Sequence, residues 1–347
     1  MLTEQQLSAA LDTALETARR GHRGANPLVG ACVLDASGSL ITTGFHAGAG
    51  NPHAEIEALR RLGRISRQRA SELTMVVTLE PCNHTGRTGP CSHAIAQAGI
   101  GRVHYAMADP TAAASGGADY LRQAGVEVSQ AQAGTALQEL NHRWLRAMKQ
   151  SRPFITVKTA QSLDGRVNAP DGSSQWITSA ESRVHAHGLR SRVDAIVVGT
   201  NTVVHDNPRL NARTKDGSAL PKQPHRLVMG LRELPTGLAL EFDEHFEQVR
   251  TRDVHELVRR AAELGYGHLL IEGGSTIASA FISADLADEI YCYQAPLIIG
   301  AGDSSVNIAG TQTLGDARQY RLDAYSTETL GRLGPDVMMH LEPLPQP

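Results

Sequence analysis

Leu7, Ala10, Leu11, Ala14, Leu15 and Ala18 recur at intervals of three and four along residues 4–20, the spacing of one apolar helix face. Gly21 and Gly24 mark its end. The pattern then shortens: VGACVLD (29–35) and SLITTGF (39–45) read as two strands joined by the turn Ala36-Ser37-Gly38. Helices are predicted over 53–63, 91–99, 118–125 and 135–149, and strands over 74–80, 102–109 and 126–129. This alternation predicts a sheet with helices on both faces. The polar stretch KQSRP (149–153) marks a boundary, after which a second series begins. Its predicted strands are 153–160, 194–200, 225–230, 268–274 and 289–296, and its predicted helices are 185–192, 255–265 and 275–284. Residues 211–224 and 232–244 read as loops. The expectation is an α/β chain of two domains, 1–149 and 153–347.

Composition narrows the possibilities. At 347 residues, two domains are the ordinary expectation. Lys plus Arg is 33 and Asp plus Glu is 36, a net charge of −3, so nothing global draws the chain to nucleic acid or anionic lipid. Aromatic residues at 4% argue against a stacking platform for single strands. No apolar run is long enough to span a membrane. The N-terminus lacks a basic segment followed by an apolar core, so no secretory signal is read and a cytoplasmic location is expected. Cys32, Cys82, Cys91 and Cys292 are then thiols or metal ligands rather than a disulfide framework.

The strongest chemical signal is His53-Ala54-Glu55 followed by Pro81-Cys82 and Pro90-Cys91. One imidazole and two thiolates make a three-ligand zinc site whose fourth tetrahedral position is left for water, and zinc-bound water ionises near neutral pH. Glu55 lies two residues past His53, at the start of the same predicted helix, where it can hold a proton beside the metal. Cys91 opens a helix, whose dipole favours a thiolate. The arrangement matches the zinc-deaminase pattern H-x-E…P-C-x-x-C, with the Glu as acid/base rather than ligand, except that eight residues separate the cysteines. Cys32 and Cys292 lie in strand-like segments and are not expected to bind metal.

Asn26-Pro27-x-Val29-Gly30, Gly44-Phe45-His46, His53-Ala54-Glu55 and the Pro-Cys-x-His-x-Gly-Arg-Thr-x-Pro-Cys run resemble the deaminase domain of the bifunctional riboflavin-biosynthesis deaminase/reductase family. The resemblance implies a cytidine-deaminase-like α/β/α domain that hydrolytically removes an amino group from 2,5-diamino-6-ribosylamino-4(3H)-pyrimidinone 5′-phosphate. Asn26 and His46 are implied substrate contacts and Arg87 a phosphate contact. Thr111 stands where the family usually carries Asn, so that amide contact does not transfer.

No G-x-G-x-x-G joins a strand to a helix in the second half, so a standard dinucleotide fold is not supported. Glu272-Gly273-Gly274-Ser275-Thr276 is the nearest substitute, a strand end and helix start with free N–H groups for a phosphate. With Lys158-x-Ala160-x-Ser162-Leu163-Asp164-Gly165-Arg166, Ser174-Gln175-Trp176, Leu189-Arg190, Thr202 and Asp206-x-Pro208-x-Leu210-x-x-Arg213, it resembles the reductase domain of the same family, which is similar in fold to dihydrofolate reductase. The resemblance implies NADPH bound by Ala160, Trp176, Thr202, Asp206 and the run Gly274, Ser275, Thr276, Ile277, Ala278, Ser279 and Ala280. It implies substrate contacts from Ser174, Arg190, Leu210, Arg213 and Glu272. Lys158 is the charged group expected nearest the reacting sugar, with Asp164 as its partner. Asn207 and Gly230 occupy positions where the family commonly carries Asp, which bears on NADPH over NADH.

The expected partners are zinc, NADPH, a phosphorylated pyrimidine and a second copy of the chain in a dimer, with no nucleic acid and no membrane. Two other readings are a nucleic-acid base deaminase, which would need a basic surface and stacking residues, and a non-catalytic zinc module, which would not need Glu55.

Overall fold

The computed structural model describes residues 2–22, 24–84, 89–111, 115–131, 135–240, 245–324 and 329–344. The chain forms two compact units, Met1–Met148 and Lys149–Pro347.

The first unit opens with α1 (Glu4–Ala18), whose start is fixed by a capping box: Thr3 Oγ1 accepts from the Gln6 N–H, and Gln6 Oε1 accepts from the Thr3 N–H. Then follow β1 (Gly30–Leu34), β2 (Leu40–Phe45), α2 (Ala54–Leu62), α3 (Arg67–Ser71), β3 (Thr74–Leu79), α4 (Cys91–Ala98), β4 (Arg102–Met107), α5 (Gly117–Gln123), β5 (Glu127–Gln130), α6 (Thr135–Leu140) and α7 (His142–Lys149). The sheet order is β2-β1-β3-β4-β5. β1 runs antiparallel to β2 and β3, and β3, β4 and β5 are parallel.

Strand alternation sends Ala31 and Val33 into a core with Ala54, Ala58, Ile95 and Leu121 of α2, α4 and α5. On the other face the Cys32 thiol donates to the Ala10 carbonyl, and a Cβ on Gly30 would lie 1.9 Å from Ala14 O. Helices thus cover both faces, as the alternation of elements requires. Burial pushes the Cys32 thiol up to about 12, so it is an inert packing group.

The expected single helix over 135–149 is broken at Asn141. Its side chain leaves the helix pattern to clasp Leu28, accepting from its N–H and donating to its carbonyl, both at 2.8 Å.

The second unit contains β6 (Phe154–Gln161), α8 (Ala180–Arg190), β7 (Ala195–Gly199), α9 (Thr200–Asp206), β8 (His225–Met229), β9 (Phe246–Val249), α10 (Val254–Glu263), β10 (His268–Ile271), α11 (Ser275–Ser283), β11 (Glu289–Gln294), β12 (Tyr320–Leu322), β13 (Leu330–Leu333) and β14 (Asp336–Pro343). The sheet runs β12-β14-β11-β6-β10-β7-β8-β9, with β13 also on β14. β11, β6, β10, β7, β8 and β9 are mutually parallel, and β14 runs antiparallel to β11 and carries β12 and β13 beyond it. Because β10 inserts between β6 and β7, the winding reverses there. In open α/β sheets the carboxyl ends of strands beside such a reversal are where ligands bind, here those of β6, β10 and β7.

α9, β9 and the three strands after residue 319 had no clear sequence signal. α9 follows β7 without a linker and is built from β-branched and turn-forming residues. β9 is a four-residue edge strand in which only Val249 is buried.

Candidate active sites

In the first unit, three elements converge on one point. His53 is the residue before α2, Cys91 is the first residue of α4, and Cys82 lies three residues past the end of β3. His53 Nδ1 lies 3.5 Å from Cys82 Sγ and 3.3 Å from Cys91 Sγ, and the ligand atoms of all three fall within 4.8 Å of one another. Two soft sulfurs and one imidazole nitrogen at this spacing suit zinc, with room for one more ligand. A hydrogen bond from Cys91, with His53 beside it, holds the Cys82 thiol down at about 4, whereas sharing that bond drives Cys91 upward.

Glycines bring the elements this close. A Cβ on Gly44 would sit 2.2 Å from Ala54 O, so β2 can carry the first turn of α2 only with glycine there. A Cβ on Gly117 would sit 1.7 Å from Pro81 O, which lets the start of α5 cover the Pro81-Cys82 turn. Buried Glu80 accepts from the Ala118 and Asp109 N–H groups at 3.0 and 3.3 Å, tying the same turn to the segment after β4.

Glu55 is buried beside the sulfurs. Burial, with the Cys82 thiolate adding to it, raises its carboxyl to about 7. Asn26 and His46 are brought together as their pattern suggested. His46 Nδ1 is 2.9 Å from the Pro52 carbonyl and must donate to it, so Nε2 accepts from Asn26 Nδ2 at 2.8 Å. Burial lowers the pKa of His46, which keeps it neutral. This fixes the Asn26 carboxamide with Oδ1 available as an acceptor. The His46 and His53 rings meet edge to face at 5.2 Å. Thr111 donates to Asp109 Oδ1 and so shapes its own turn. Arg87 lies outside the described residues.

Sequence reasoning missed the support of Asn26. Asn141 clasps Leu28, and Trp144 Nε1 donates to Ala25 O at 3.2 Å. Both contacts span more than a hundred residues, so no local pattern announces them.

In the second unit, Lys158 of β6, Glu272 after β10 and Arg190 at the end of α8 form one charged group. Arg190 grips Glu272 with two parallel bonds, Nε to Oε1 and Nη2 to Oε2, each 2.8 Å. Burial pushes the Glu272 carboxyl up, but the Arg190 guanidinium and then Lys158 outweigh it and hold it at about 2. Burial lowers the pKa of Lys158, partly offset by Glu272 and reinforced by Arg190. Arg213 joins through His187, whose Nε2 lies 3.4 Å from Arg213 Nη2.

Several expectations change here. Asp164 does not partner Lys158; it accepts from Ser162 Oγ and from the Ile299 and Gly300 N–H groups, tying two loops. The side chain of Leu210 is buried among Ile196, Val198 and Val203, so only its backbone is left for a ligand. Ala278 lies in the hydrophobic core and Ser279 Oγ accepts from the Asn307 N–H, so these two side chains belong to the interior rather than to a cofactor pocket. Ala280 also packs against that core.

Gly274, Ser275 and Thr276 stay accessible at the start of α11. Ile277 packs beside Gly199 and Gly273. Thr202, in the first turn of α9, has its Oγ1 3.9 Å from where a Gly274 Cβ would be. Trp176 is 67% exposed, with the Arg183 guanidinium stacked on it at 4.6 Å. Ser174 is half-buried on the loop before α8, and Ala160 near the end of β6 packs partly against Tyr293 and its neighbours. Asp206 is exposed at the end of α9. Asn207 takes a left-handed conformation there (φ 40°), and its Oδ1 accepts from the Ala239 N–H. Those two tasks explain an Asn at that position without reference to a cofactor.

Comparison with known proteins agrees with both halves. Residues 4–107 match the cytidine and deoxycytidylate deaminase zinc-binding region, and residues 153–332 match the RibD C-terminal domain. The riboflavin biosynthesis protein RibD of Mycobacterium tuberculosis H37Rv is 38% identical over 320 residues, covering 91% of this chain and 90% of that protein. RibD of Escherichia coli K12 is 33% identical over 374 residues, covering 94% and 97%. The solved structure of Acinetobacter baumannii RibD superposes with a TM-score of 0.78 at 31% identity, covering 98% of this chain and 99% of that one. The Thermotoga maritima diaminohydroxyphosphoribosylaminopyrimidine deaminase/5-amino-6-(5-phosphoribosylamino)uracil reductase gives 0.73 at 27%, with the same coverage.

Fold and site together define a zinc-dependent deaminase of the cytidine-deaminase type joined to an NADPH-dependent reductase. The chain belongs to the RibD family, the bifunctional deaminase/reductases of riboflavin biosynthesis. No helix among the described residues is long and apolar enough to cross a membrane.

Proposed function

We propose that the first unit hydrolyses 2,5-diamino-6-ribosylamino-4(3H)-pyrimidinone 5′-phosphate at its ring amino group, and that the second unit reduces the ribosyl side chain of the product with NADPH. The observation that carries this reading is buried Glu55 beside the His53, Cys82 and Cys91 cluster. Those three residues would hold zinc, which supplies Lewis acidity that ionises water near neutral pH. Glu55, poised near neutrality, accepts the proton of the attacking water and passes it to the ring nitrogen, then takes the proton of the newly formed hydroxyl and delivers it to the amino group that leaves as ammonia. Asn26 Oδ1 accepts a hydrogen bond from the pyrimidine, held by neutral His46. Arg87 is retained as a phosphate contact on the resemblance alone.

In the second unit NADPH supplies hydride to the sugar carbon. Lys158 places positive charge at the sugar oxygen that gains a proton as the ring opens. Ser174, Arg190, the Leu210 backbone, Arg213 and Glu272 face the substrate, with Arg213 toward phosphate. The N–H groups at Gly274, Ser275 and Thr276, beside Thr202, would hold the cofactor phosphates, and Ala160, Trp176, Asp206 and Ile277 would complete the cofactor site. Two variants test the division of labour. Glu55→Gln should stop at the first step and Lys158→Met should accumulate the deaminated intermediate, while a mixture of the two completes both steps. A mixture that stays inactive would contradict the assignment.

A homodimer and a cytoplasmic location belong to the same proposal. Exposed Leu322, Leu330 and Val337 support the dimer. They share the face of β12, β13 and β14 that continues the core through Met339 and Leu341. Sedimentation of Val337→Glu against the parent chain checks it.

A further inference from the structure

Arg190 and Arg213 both lie against His187, yet the structure treats them differently. Arg190 spends Nε and Nη2 on Glu272 and directs Nη1 to the Asn211 carbonyl at 3.1 Å. Its charge is matched by a carboxylate within 2.8 Å. Arg213 pairs with no carboxylate among the described residues. Its Nε has no hydrogen-bond partner there, and its Nη2 lies 3.4 Å from His187 Nε2.

A guanidinium has five donors and no acceptor, so whatever orients it must accept. A carboxylate in that role would occupy two donors and cancel the charge a phosphate needs. A neutral imidazole takes one N–H and leaves the charge intact. His187 meets this requirement: its Nδ1 is 2.9 Å from the Asn211 carbonyl and must donate to it, which obliges Nε2 to be the acceptor. Burial first, then Arg190 and Arg213, hold the imidazole at about 4, so it stays neutral at working pH.

We infer that His187 is a positioning residue of the reductase, which aims the uncompensated Arg213 guanidinium at the phosphate of the substrate while Arg190 is held by Glu272. This rests on the reading that the second unit takes a phosphorylated substrate through Arg213. His187 grips the Asn211 backbone with one nitrogen and Arg213 with the other, so it sets the distance between the Leu210–Arg213 segment and α8. Glutamine can copy both contacts, donating through Nε2 and accepting through Oε1; leucine can copy neither.

The test is steady-state reduction by the full chain, at saturating NADPH, of the deaminated substrate and of the same compound lacking its 5′-phosphate. His187→Leu should raise KM for the phosphorylated compound about tenfold, with kcat within about threefold, and leave the dephosphorylated compound unaffected. His187→Gln should restore KM to within about threefold of the parent. Arg213→Ala should show the same selective loss, and adding His187→Leu to it should cost nothing more. Equal losses on both compounds, a fall in kcat alone, or a normal His187→Leu beside an impaired Arg213→Ala would overturn the role of His187. An Arg213→Ala that does not distinguish the two compounds would instead overturn the underlying phosphate reading. Deamination by the same samples reports folding of the first unit only, so a melt accompanies each variant. If His187→Leu does not fold, His187→Asn, polar but too short to bridge, is judged by the same outcomes.

Discussion

Gly274 lies opposite Thr202: the nearest atom to the side chain Gly274 lacks is Thr202 Oγ1, 3.9 Å away, and no other atom of the described residues comes within 4 Å. Its φ of −59° and ψ of 178° are open to any residue. Neither packing nor backbone geometry demands glycine here, so a side chain at this position would act on a bound cofactor rather than on the fold. The neighbouring Gly273 is different, since a Cβ there would meet Ile277 Cβ at 2.5 Å.

Gly274→Val should therefore weaken NADPH binding by at least about tenfold by obstructing the helix N–H groups, with little change in melting temperature. Gly273→Val should cost roughly 1–3 kcal/mol of stability through overpacking. Fluorescence titration of NADPH alongside a melt of each variant separates the two. Unchanged affinity in Gly274→Val would remove this segment from the site.

One zinc per chain should bind through His53, Cys82 and Cys91. Cys82→Ser with Cys91→Ser should lose the metal, while Cys32→Ser should keep it, because that thiol is buried against α1 and far too basic to ligate. Glu55→Gln should retain zinc and lose deamination by a factor of at least about 10². Elemental analysis and turnover on the same samples check both.

Acid should destabilise the second unit in two stages. Burial depresses His268 to about 4 against an unfolded value of 6.5, so between those values the unfolded chain takes up a proton that the folded chain refuses. Stability therefore falls as pH drops from 6.5 toward 4. Below 4.5 the Glu272 carboxylate, held at about 2, adds a further loss as the unfolded chain is protonated first. Melting temperatures of the parent and His268→Gln from pH 7.5 to 4.5 should converge as pH falls; parallel curves would exclude His268 as the cause.

The boundary between the units can be placed by charge. Arg152 Nη1 and Nη2 bond Asp288 at 2.6 and 2.8 Å, both side chains buried, and Asp288 also accepts from the Ile155 N–H. A fragment starting at Lys149 should fold, whereas one starting at Pro153 loses both Arg152 bonds to the buried Asp288 carboxylate, a loss of about 3–5 kcal/mol. Chemical denaturation of the two fragments measures the difference.

The parts of both sites that were legible in the sequence are those whose chemistry is tied to spacing. His53, Glu55, Cys82 and Cys91 needed only their types and order. Lys158, Arg190, Arg213 and Glu272 came from the family resemblance, and they do meet in space. What the sequence hid depends on long-range contact. Asn141 looked like one more residue of a helix, and only the fold shows it holding Leu28 near Asn26. His187 was one histidine among 15 until the loop carrying Asn211 and Arg213 returned to it. Asp164 was misread for the converse reason: six residues from Lys158 in sequence, it is turned toward Ile299 and Gly300.

The most direct test of the central claim is mass spectrometry of the product that the full chain forms from 2,5-diamino-6-ribosylamino-4(3H)-pyrimidinone 5′-phosphate, with and without NADPH. Without NADPH the product should be heavier than the substrate by about 1 Da, the exchange of an amino group for oxygen. With NADPH it should gain about 2 Da more, the two hydrogens of reduction. A product that gains the reduction mass without the deamination mass, or one that is the same with and without NADPH, would contradict the account of two units acting in turn on one substrate.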